Sequence, residues 1–324
     1  MSLQVITLSK RYADIWILRD VSFEAERGKI TGLFGVSGSG KTTVLKTIAG
    51  IEKTNGGTVT FDSKNASGLS REARNFYFSV PASSFLSSLL KSDGSAQLSG
   101  GERAAANVEN ALASDAEVLL LDDPFCSMDS FTKHKYFEKL RKSVNEKNLA
   151  VVFATSNYDD VFALCDSVAV LGGGGEIIQT GTPQDVYSEP RSYAVARITG
   201  RNNLFEARRL TSSKAEHPQF QTLTGEHRLV VEKIERNALG SINQNVWLCI
   251  RPEHISIAFG ASFPEDNLLM AVITGVQLMG STTLVELNAN GLVLHALVLR
   301  LVGLNIGDEC MLGLPPNWIQ VLKS

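Results

Sequence analysis

Two short stretches carry residue types whose spacing could do chemistry. The first, Gly35-Val36-Ser37-Gly38-Ser39-Gly40-Lys41-Thr42, fits G-x-x-x-x-G-K-[ST] and stands between a predicted strand, 30–34, and a predicted helix, 42–49. Glycines let the backbone curl so that its N–H groups face an anion, and the helix N-terminus adds partial positive charge. At this spacing Lys41 reaches the β- and γ-phosphates of a nucleotide, Thr42 offers a hydroxyl to Mg²⁺, and Thr43 continues the first turn. The second stretch, residues 118–129 (VLLLDDPFCSMD), is an apolar run that ends in Asp122 and Asp123. Short apolar runs read as buried parallel strands, and ligands of open α/β sheets gather at the carboxyl ends of such strands. Asp122 alone could be a turn cap. Behind a phosphate loop it reads as the carboxylate that holds Mg²⁺ through water.

A third stretch, Leu98-Ser99-Gly100-Gly101-Glu102, precedes an alanine-rich helix predicted over 101–113. Taken alone it is an N-capped helix start; its exposed N–H groups could also receive a phosphate. These stretches need a scaffold, and the pattern supplies one. Predicted strands at 30–34, 117–121, 150–154 and 167–171 alternate with helices, including one over 132–148, which implies a parallel sheet covered by helices. Strand-like runs at 3–9, 15–24 and 57–62 lack intervening helices and imply an antiparallel flank. After about residue 200 the pattern becomes short strands and turns, with Asn288-Ala-Asn-Gly291 as a predicted hairpin, so this half reads as a small β-barrel.

The order phosphate loop, LSGGE, helix, VLLLDD resembles the ATP-binding subunits of ABC transporters, with Ser99, Gly100 and Gly101 in their signature motif. The resemblance implies an α/β P-loop NTPase core with an antiparallel β flank and head-to-tail pairing, with ATP between the loop of one chain and the signature of another. It also implies that Tyr12 stacks on adenine, with Trp16 as a competitor, and that Ser127-Met-Asp129 is the D-loop that crosses the dimer interface. Gly200-Arg-Asn-Asn203, Ile250-Arg-Pro-Glu-His-Ile255 and Gly307-Asp308 are similar to the transport-associated OB-like fold, or TOBE domain. That domain follows the ATPase in importers for sugars, polyamines, iron and oxyanions. The expected division is therefore an ATP-binding domain over 1–200 and an all-β regulatory domain over 201–324. Expected partners are a second copy or homologous subunit, membrane permease subunits and, indirectly, a substrate-binding protein, at the inner face of the cell membrane.

Three features depart from the family pattern. The catalytic base after the magnesium aspartate is usually glutamate; here it is Asp123, whose oxygens retract by about 1 Å, a misplacement that can cost on the order of 100-fold in rate. The switch histidine is absent and Asn157 is read in its place; asparagine can hydrogen-bond a γ-phosphate but cannot carry charge. The glutamine expected after 75–80 is replaced by Pro81, and only residues 82–97 separate it from LSGGE, so the helical subdomain around 81–113 reads as shortened. Trimming, engineering or degeneration each fit that shortening. Nucleotide binding should survive these changes and hydrolysis should be slow. A nucleotide-binding, hydrolysis-impaired regulatory subunit is the alternative.

Composition narrows the rest. A net charge of −3 gives no broad basic surface for nucleic acid. The N-terminus lacks a continuous apolar stretch of signal-peptide type, and the late apolar run 292–304 is broken by His295, Arg300 and Gly303. The four cysteines (126, 165, 249 and 310) lack paired spacing and read as free thiols. Arg251, Glu253 and His254 read as turn and surface residues, or as part of a ligand site in the C-terminal half.

Overall fold

The computed structural model describes residues 2–79, 99–210, 218–232, 241–260, 265–299 and 303–322. Pro81, the expected short helix and loop over 82–97, and Leu98 lie outside the described residues. The chain divides into two compact units, Met1–Ser188 and Glu189–Ser324.

The first unit opens with an antiparallel sheet. Strands β1 (Ser2–Tyr12), β2 (Ile15–Glu26), β4 (Gly56–Phe61) and β5 (Lys64–Asn65) lie in the order β2-β1-β4-β5. A six-stranded sheet follows, ordered β10-β9-β3-β8-β7-β6. Its strands are β3 (Lys29–Phe34), β6 (Phe76–Ser79), β7 (Val118–Asp122), β8 (Ala150–Thr155), β9 (Ser167–Leu171) and β10 (Ile177–Gly181). Only β10 runs antiparallel to its neighbour. Among the described residues, five α-helices belong to this unit: α1 (Lys41–Ile48), α2 (Gly100–Ala113), α3 (Ser130–Lys147), α4 (Tyr158–Leu164) and α5 (Pro183–Ser188).

Every residue of β7 is buried, as expected for a parallel strand covered on both faces. Leu33, Leu120 and Val152 of the parallel sheet share one core with Val44 and Ile48 of α1 and with Leu3, Val5 and Val21 of the antiparallel flank. Full burial of such side chains contributes about 1.5–3 kcal/mol each. The register aligns the strand ends that matter, because Phe34 pairs with Thr155 and Asp122 with Ala154. Gly35, Asp123 and Ser156 therefore leave the sheet along the same edge.

Among the described residues, the second unit holds α6 (Tyr193–Ile198) and ten strands in two antiparallel sheets. One has the order β13-β12-β11-β14-β20, from β11 (Asn203–Arg209), β12 (Gln219–Thr222), β13 (Arg228–Val230), β14 (Asn245–Ile250) and β20 (Gln320–Leu322). The other has the order β15-β19-β16-β17-β18, from β15 (Ser256–Ala258), β16 (Asn267–Met279), β17 (Thr282–Ala289), β18 (Leu292–Val298) and β19 (Glu309–Leu314). Phe205, Phe220 and Leu248 from the first share a core with Ile273, Leu287 and Leu312 from the second, an all-β, OB-like arrangement. The β17–β18 hairpin turns at Asn290 and Gly291, both with positive φ (49° and 90°), the conformation that favours Asn-Gly.

The sequence pattern changes near residue 200, whereas the compact units divide after Ser188. The difference is α6: Ala196 packs with Cys249 and Leu322, and Tyr193 lies 4.4 Å from Trp247 between ring centroids. The four cysteines are unpaired; Cys126 is exposed and the other three are buried. No helix among the described residues is long and apolar enough to cross a membrane.

Candidate functional site

The phosphate loop connects β3 to α1 in a conformation that only glycine permits at two points. A Cβ on Gly35 would come within 2.5 Å of the Leu171 carbonyl oxygen. Gly40, the N-cap of α1, has φ 104° and lies against Leu18 and Ile17. No side chain caps this helix start and no acidic residue occupies its first turn, so its leading N–H groups have no partner within the helix. The Ser39 hydroxyl, on a residue only 3% exposed, is buried without a hydrogen-bond partner. Lys41 curls over the bend, its Nζ donating to the carbonyls of Gly35 (2.7 Å) and Val36 (2.9 Å). Burial pulls the lysine below its ordinary pKa, opposed by Asp123 and Asp122. A cradle closed to a Cβ, an orphaned hydroxyl and an uncapped helix start are the donor set of a phosphate chain.

Beneath the loop, Thr42 Oγ1 donates to Asp122 Oδ2 at 2.8 Å. Asp122 is 3% exposed and its backbone N–H donates to Ser79 Oγ at 3.2 Å. Burial raises its pKa, with Thr42 opposing. Asp123 is also raised by burial, against the pull of Lys41 and Thr155. Two carboxylates beside one lysine leave excess negative charge, and one hydroxyl with one carboxylate suits Mg²⁺, which keeps waters and takes phosphate oxygens for its other positions. Thr42 and Asp122 thus fit that ion.

Asp123 emerges from β7 with φ 44°, and its N–H donates to the Ala154 carbonyl at 2.8 Å. Its Oδ1 accepts from Thr155 Oγ1 at 3.4 Å. Thr155 is fully buried; its carbonyl accepts from the Gly35 N–H (3.4 Å) and its hydroxyl accepts from the Asn157 N–H (3.1 Å). This threonine joins the loop, Asp123 and Asn157, a role that its sequence context does not reveal. It reads there as an ordinary β-branched strand residue, and only its place at the strand tip separates it from Val152. Asn157 is the N-cap of α4, its Oδ1 accepting from the Asp159 N–H at 3.0 Å. Only the NH₂ end of that side chain remains to face a phosphate. Ser156 is exposed between the strand end and the cap, another position that its residue type does not single out.

Tyr12, at the end of β1, is 46% exposed, and its hydroxyl donates to Glu52 Oε2. Burial and then Glu52 raise the phenol pKa, while a hydrogen bond with Thr43 in the first turn of α1 lowers it. Glu52, the acceptor of the Tyr12 hydroxyl, lies 3.9 Å from Lys46 Nζ, which puts Tyr12 beside the helix that the phosphate loop opens. Trp16, the competing aromatic, is 42% exposed and lies under the Arg11 guanidinium, 5.6 Å from its centroid.

Ser99 caps α2: its Oγ accepts from the Glu102 N–H (3.2 Å), and Glu102 Oε2 accepts from the Ser99 N–H (2.7 Å). A Cβ on Gly100 would meet Ser127 Cβ at 3.1 Å, and one on Gly101 would meet the Ser127 carbonyl at 3.2 Å. Asp129 caps α3, accepting from the Thr132 N–H (2.9 Å) and hydroxyl (2.6 Å). The structure therefore gathers the expected residues into two groups. Residues 35–43, Asp122, Asp123 and Tyr12 surround the loop, while Ser99, Gly100 and Gly101 lie against the turn that leads to Asp129.

In the second unit the expectation of a surface turn at Arg251 is corrected. The residue is 4% exposed and its guanidinium donates to the Thr199 and Arg201 carbonyls, each at 3.1 Å. His254 stacks on Trp318 at 3.8 Å between centroids. Among the described residues, no cluster of three or more His, Cys, Asp or Glu could hold a metal.

Comparison with known proteins agrees with this geometry. The family model described as ABC transporter matches residues 18–80, and the model described as TOBE domain matches residues 248–322. The chain is 32% identical over 247 residues to a sulfate/thiosulfate import ATP-binding protein of Bacillus cereus, covering 64% of this chain and 69% of that protein. A molybdate/tungstate import ATP-binding protein of Pyrococcus horikoshii is 26% identical over 347 residues, covering 95% of this chain and 96% of the relative. In fold, the chain is similar to a nucleotide-free ATP-binding cassette from an ABC transporter, with a TM-score of 0.52 at 19% identity over 60% of this chain and 99% of that one. The chain belongs to the ATP-binding subunits of ABC importers that carry a C-terminal TOBE domain.

Proposed function

We propose that two copies of this chain, or one copy and a homologous subunit, pair head to tail and close on ATP to energise import through membrane permease subunits. The loop 35–42 of one copy and Ser99, Gly100 and Gly101 of the other would grip the triphosphate from opposite ends, with Asp129 near the junction. The observation that carries this reading is the Thr42–Asp122 hydrogen bond of 2.8 Å beneath an uncapped helix start. It supports a joint Mg²⁺ and phosphate site, in which the ion neutralises charge on the phosphate oxygens. Lys41 would leave its two loop carbonyls for the phosphates, and Tyr12 would stack on the base.

Asp123 would orient the attacking water and take up its proton. Aspartate falls about 1 Å short of glutamate, enough for on the order of 100-fold in rate, and Asn157 contributes an amide that cannot carry charge. Turnover in this reading is slow. A second reading, a nucleotide-binding regulatory subunit with impaired hydrolysis, is favoured by the same two residues. Calorimetry with Mg-ATP and steady-state phosphate release on the purified chain separate the two. Binding with slow but measurable release supports the ATPase. Binding with release no faster than the spontaneous rate supports the regulatory subunit. No binding overturns both.

We assign nucleotide chemistry to residues 1–200 and a regulatory role to 201–324, and place the protein at the inner face of the cell membrane through its permease, without nucleic acid. The relatives' named cargoes, sulfate/thiosulfate and molybdate/tungstate, differ from one another. The substrate-binding protein and membrane subunit would set the cargo, and co-purification of a permease would identify it.

A further inference from the structure

Glu52 lies just past the end of α1, where the chain doubles back. Gly50 has φ 74°, and the N–H groups of Ile51 and Glu52 both return to the Lys46 carbonyl, at 2.9 and 3.2 Å. This closure is of the kind that satisfies a helix's last carbonyls. It brings the Glu52 carboxylate alongside the outer flank of α1, where three groups converge on it. The Tyr12 hydroxyl donates to Oε2, Lys10 Nζ lies 3.9 Å from Oε2, and Lys46 Nζ lies 3.9 Å from Oε1. Two ammonium groups flank the carboxylate, and one of its oxygens accepts from the phenol.

The junction between β1 and this turn is already pinned by other bonds. Lys10 Nζ donates to the Lys53 carbonyl (2.7 Å), the Arg11 N–H donates to Asn55 Oδ1 (3.0 Å), and the Asn55 N–H donates to the Ser9 carbonyl (2.9 Å). The phenol–carboxylate bond is therefore not needed to hold β1 against the turn. What it adds is a hold on the direction of the Tyr12 ring, over which Lys10 Nζ lies 5.0 Å from the centroid, while nearly half of the residue stays open to solvent.

We infer that Glu52 is a positioning residue for nucleotide-base recognition, its carboxylate locking the Tyr12 ring in the orientation in which it stacks on the base. The inference rests on the proposed role of Tyr12 and extends it. Immobilising a rotamer-rich side chain on binding weakens affinity, so a ring oriented beforehand binds more tightly by about three- to tenfold. The effect is confined to ligands that carry a base, because a bare polyphosphate never meets the ring.

The test is calorimetry on the full chain with Mg-ATP and, in parallel, with magnesium and inorganic tripolyphosphate, for Tyr12→Ala, Tyr12→Phe, Glu52→Ala and Glu52→Gln. Tyr12→Ala should weaken ATP by about tenfold or more, from lost stacking. Tyr12→Phe and Glu52→Ala should each weaken ATP about three- to tenfold, and their combination should be no weaker than the poorer single variant. Glu52→Gln, which keeps an acceptor oxygen for the phenol, should recover most of the affinity. Tripolyphosphate should bind all variants alike. If Tyr12→Ala weakens ATP while Tyr12→Phe and Glu52→Ala bind it as the parent does, the Glu52 inference fails and the Tyr12 role stands. If Tyr12→Ala itself leaves ATP affinity unchanged, the Tyr12 role fails and the inference with it. A parallel loss of tripolyphosphate affinity in Glu52→Ala also overturns it, because the residue would then act through the fold of α1.

Discussion

Two helix starts in this chain are offered to phosphate, and they are built in opposite ways. At α1 the N-cap is Gly40, with no capping side chain and no acid in the first turn. At α2 the N-cap is Ser99, engaged with Glu102 in a reciprocal capping box. The first leaves its leading donors to a ligand; the second satisfies two of its own. A glycine N-cap gives up only about a few tenths of a kcal/mol relative to a capping side chain, so α1 forgoes little stability where it is ready to bind an anion. What α2 can still offer is the Ser99 hydroxyl hydrogen and the N–H groups of Gly100 and Gly101. The difference matches the proposed dimer: the loop grips its own nucleotide, whereas the signature must persist as a surface until a second copy brings one.

The sharpest way to break the comparison is Lys41→Ala. Lys41 Nζ is bonded to two loop carbonyls, and charge-assisted bonds to two phosphates contribute about 1.5–3 kcal/mol each. ATP affinity by calorimetry should fall by about 100-fold or more. Parent-like binding would show that the α1 donors alone hold the triphosphate.

Next in size is Asp123→Glu, which tests turnover apart from binding. The longer side chain should raise steady-state phosphate release by on the order of 10- to 100-fold, with ATP affinity little changed. The gain is opposed by the φ of 44° at this position, which aspartate tolerates better than glutamate. Adding Asn157→His supplies a group that can carry charge but removes the α4 cap, at about 1 kcal/mol. No rise in release from either variant would argue against Asp123 as the limiting residue.

Gly35→Ala comes third. Its Cβ would stand 2.5 Å from a backbone carbonyl oxygen, so the loop must shift, at about 1–3 kcal/mol. Thermal unfolding should show this as a lowered Tm. Gly100→Ala, whose nearest neighbour is a serine side chain at 3.1 Å, should cost less. A larger loss at Gly100 would reverse the assignment of α1 as the tighter cradle.

These residues also show what the sequence could reveal. The loop, Asp122 and the signature are legible because each needs particular residue types at fixed local spacing: glycine for φ and clearance, lysine for reach, carboxylate at a strand tip. Strands of both halves, such as Ala150–Thr155 in the first and Leu292–Val298 of the β17–β18 hairpin in the second, are legible from their apolar runs and turn residues. Thr155 was not, because its role depends on the register that sets β8 between β3 and β7. Glu52 was not, because its partner Tyr12 is forty positions away. Arg251 was misread as a surface residue because its acceptors, Thr199 and Arg201, belong to the segment after α6. Pairwise placement between distant segments leaves no local trace.

The smallest effects belong to the capping box, and they test whether α2 is self-sufficient. Ser99→Ala should lower stability by about 1 kcal/mol, read from thermal unfolding without nucleotide. Glu102 sharpens this through pH. The Ser99 N–H, and then the Ser99 side chain, hold its carboxyl below the ordinary glutamate value. A carboxylate with a depressed pKa stabilises the fold fully above its unfolded pKa and loses that contribution as pH falls through the folded one. The parent should therefore exceed Glu102→Gln in Tm near neutral pH, with the gap narrowing below about pH 4.5. A gap that stayed constant across that range would mean that the Glu102 charge does not stabilise α2, and the contrast with the uncapped start of α1 would rest on Ser99 alone.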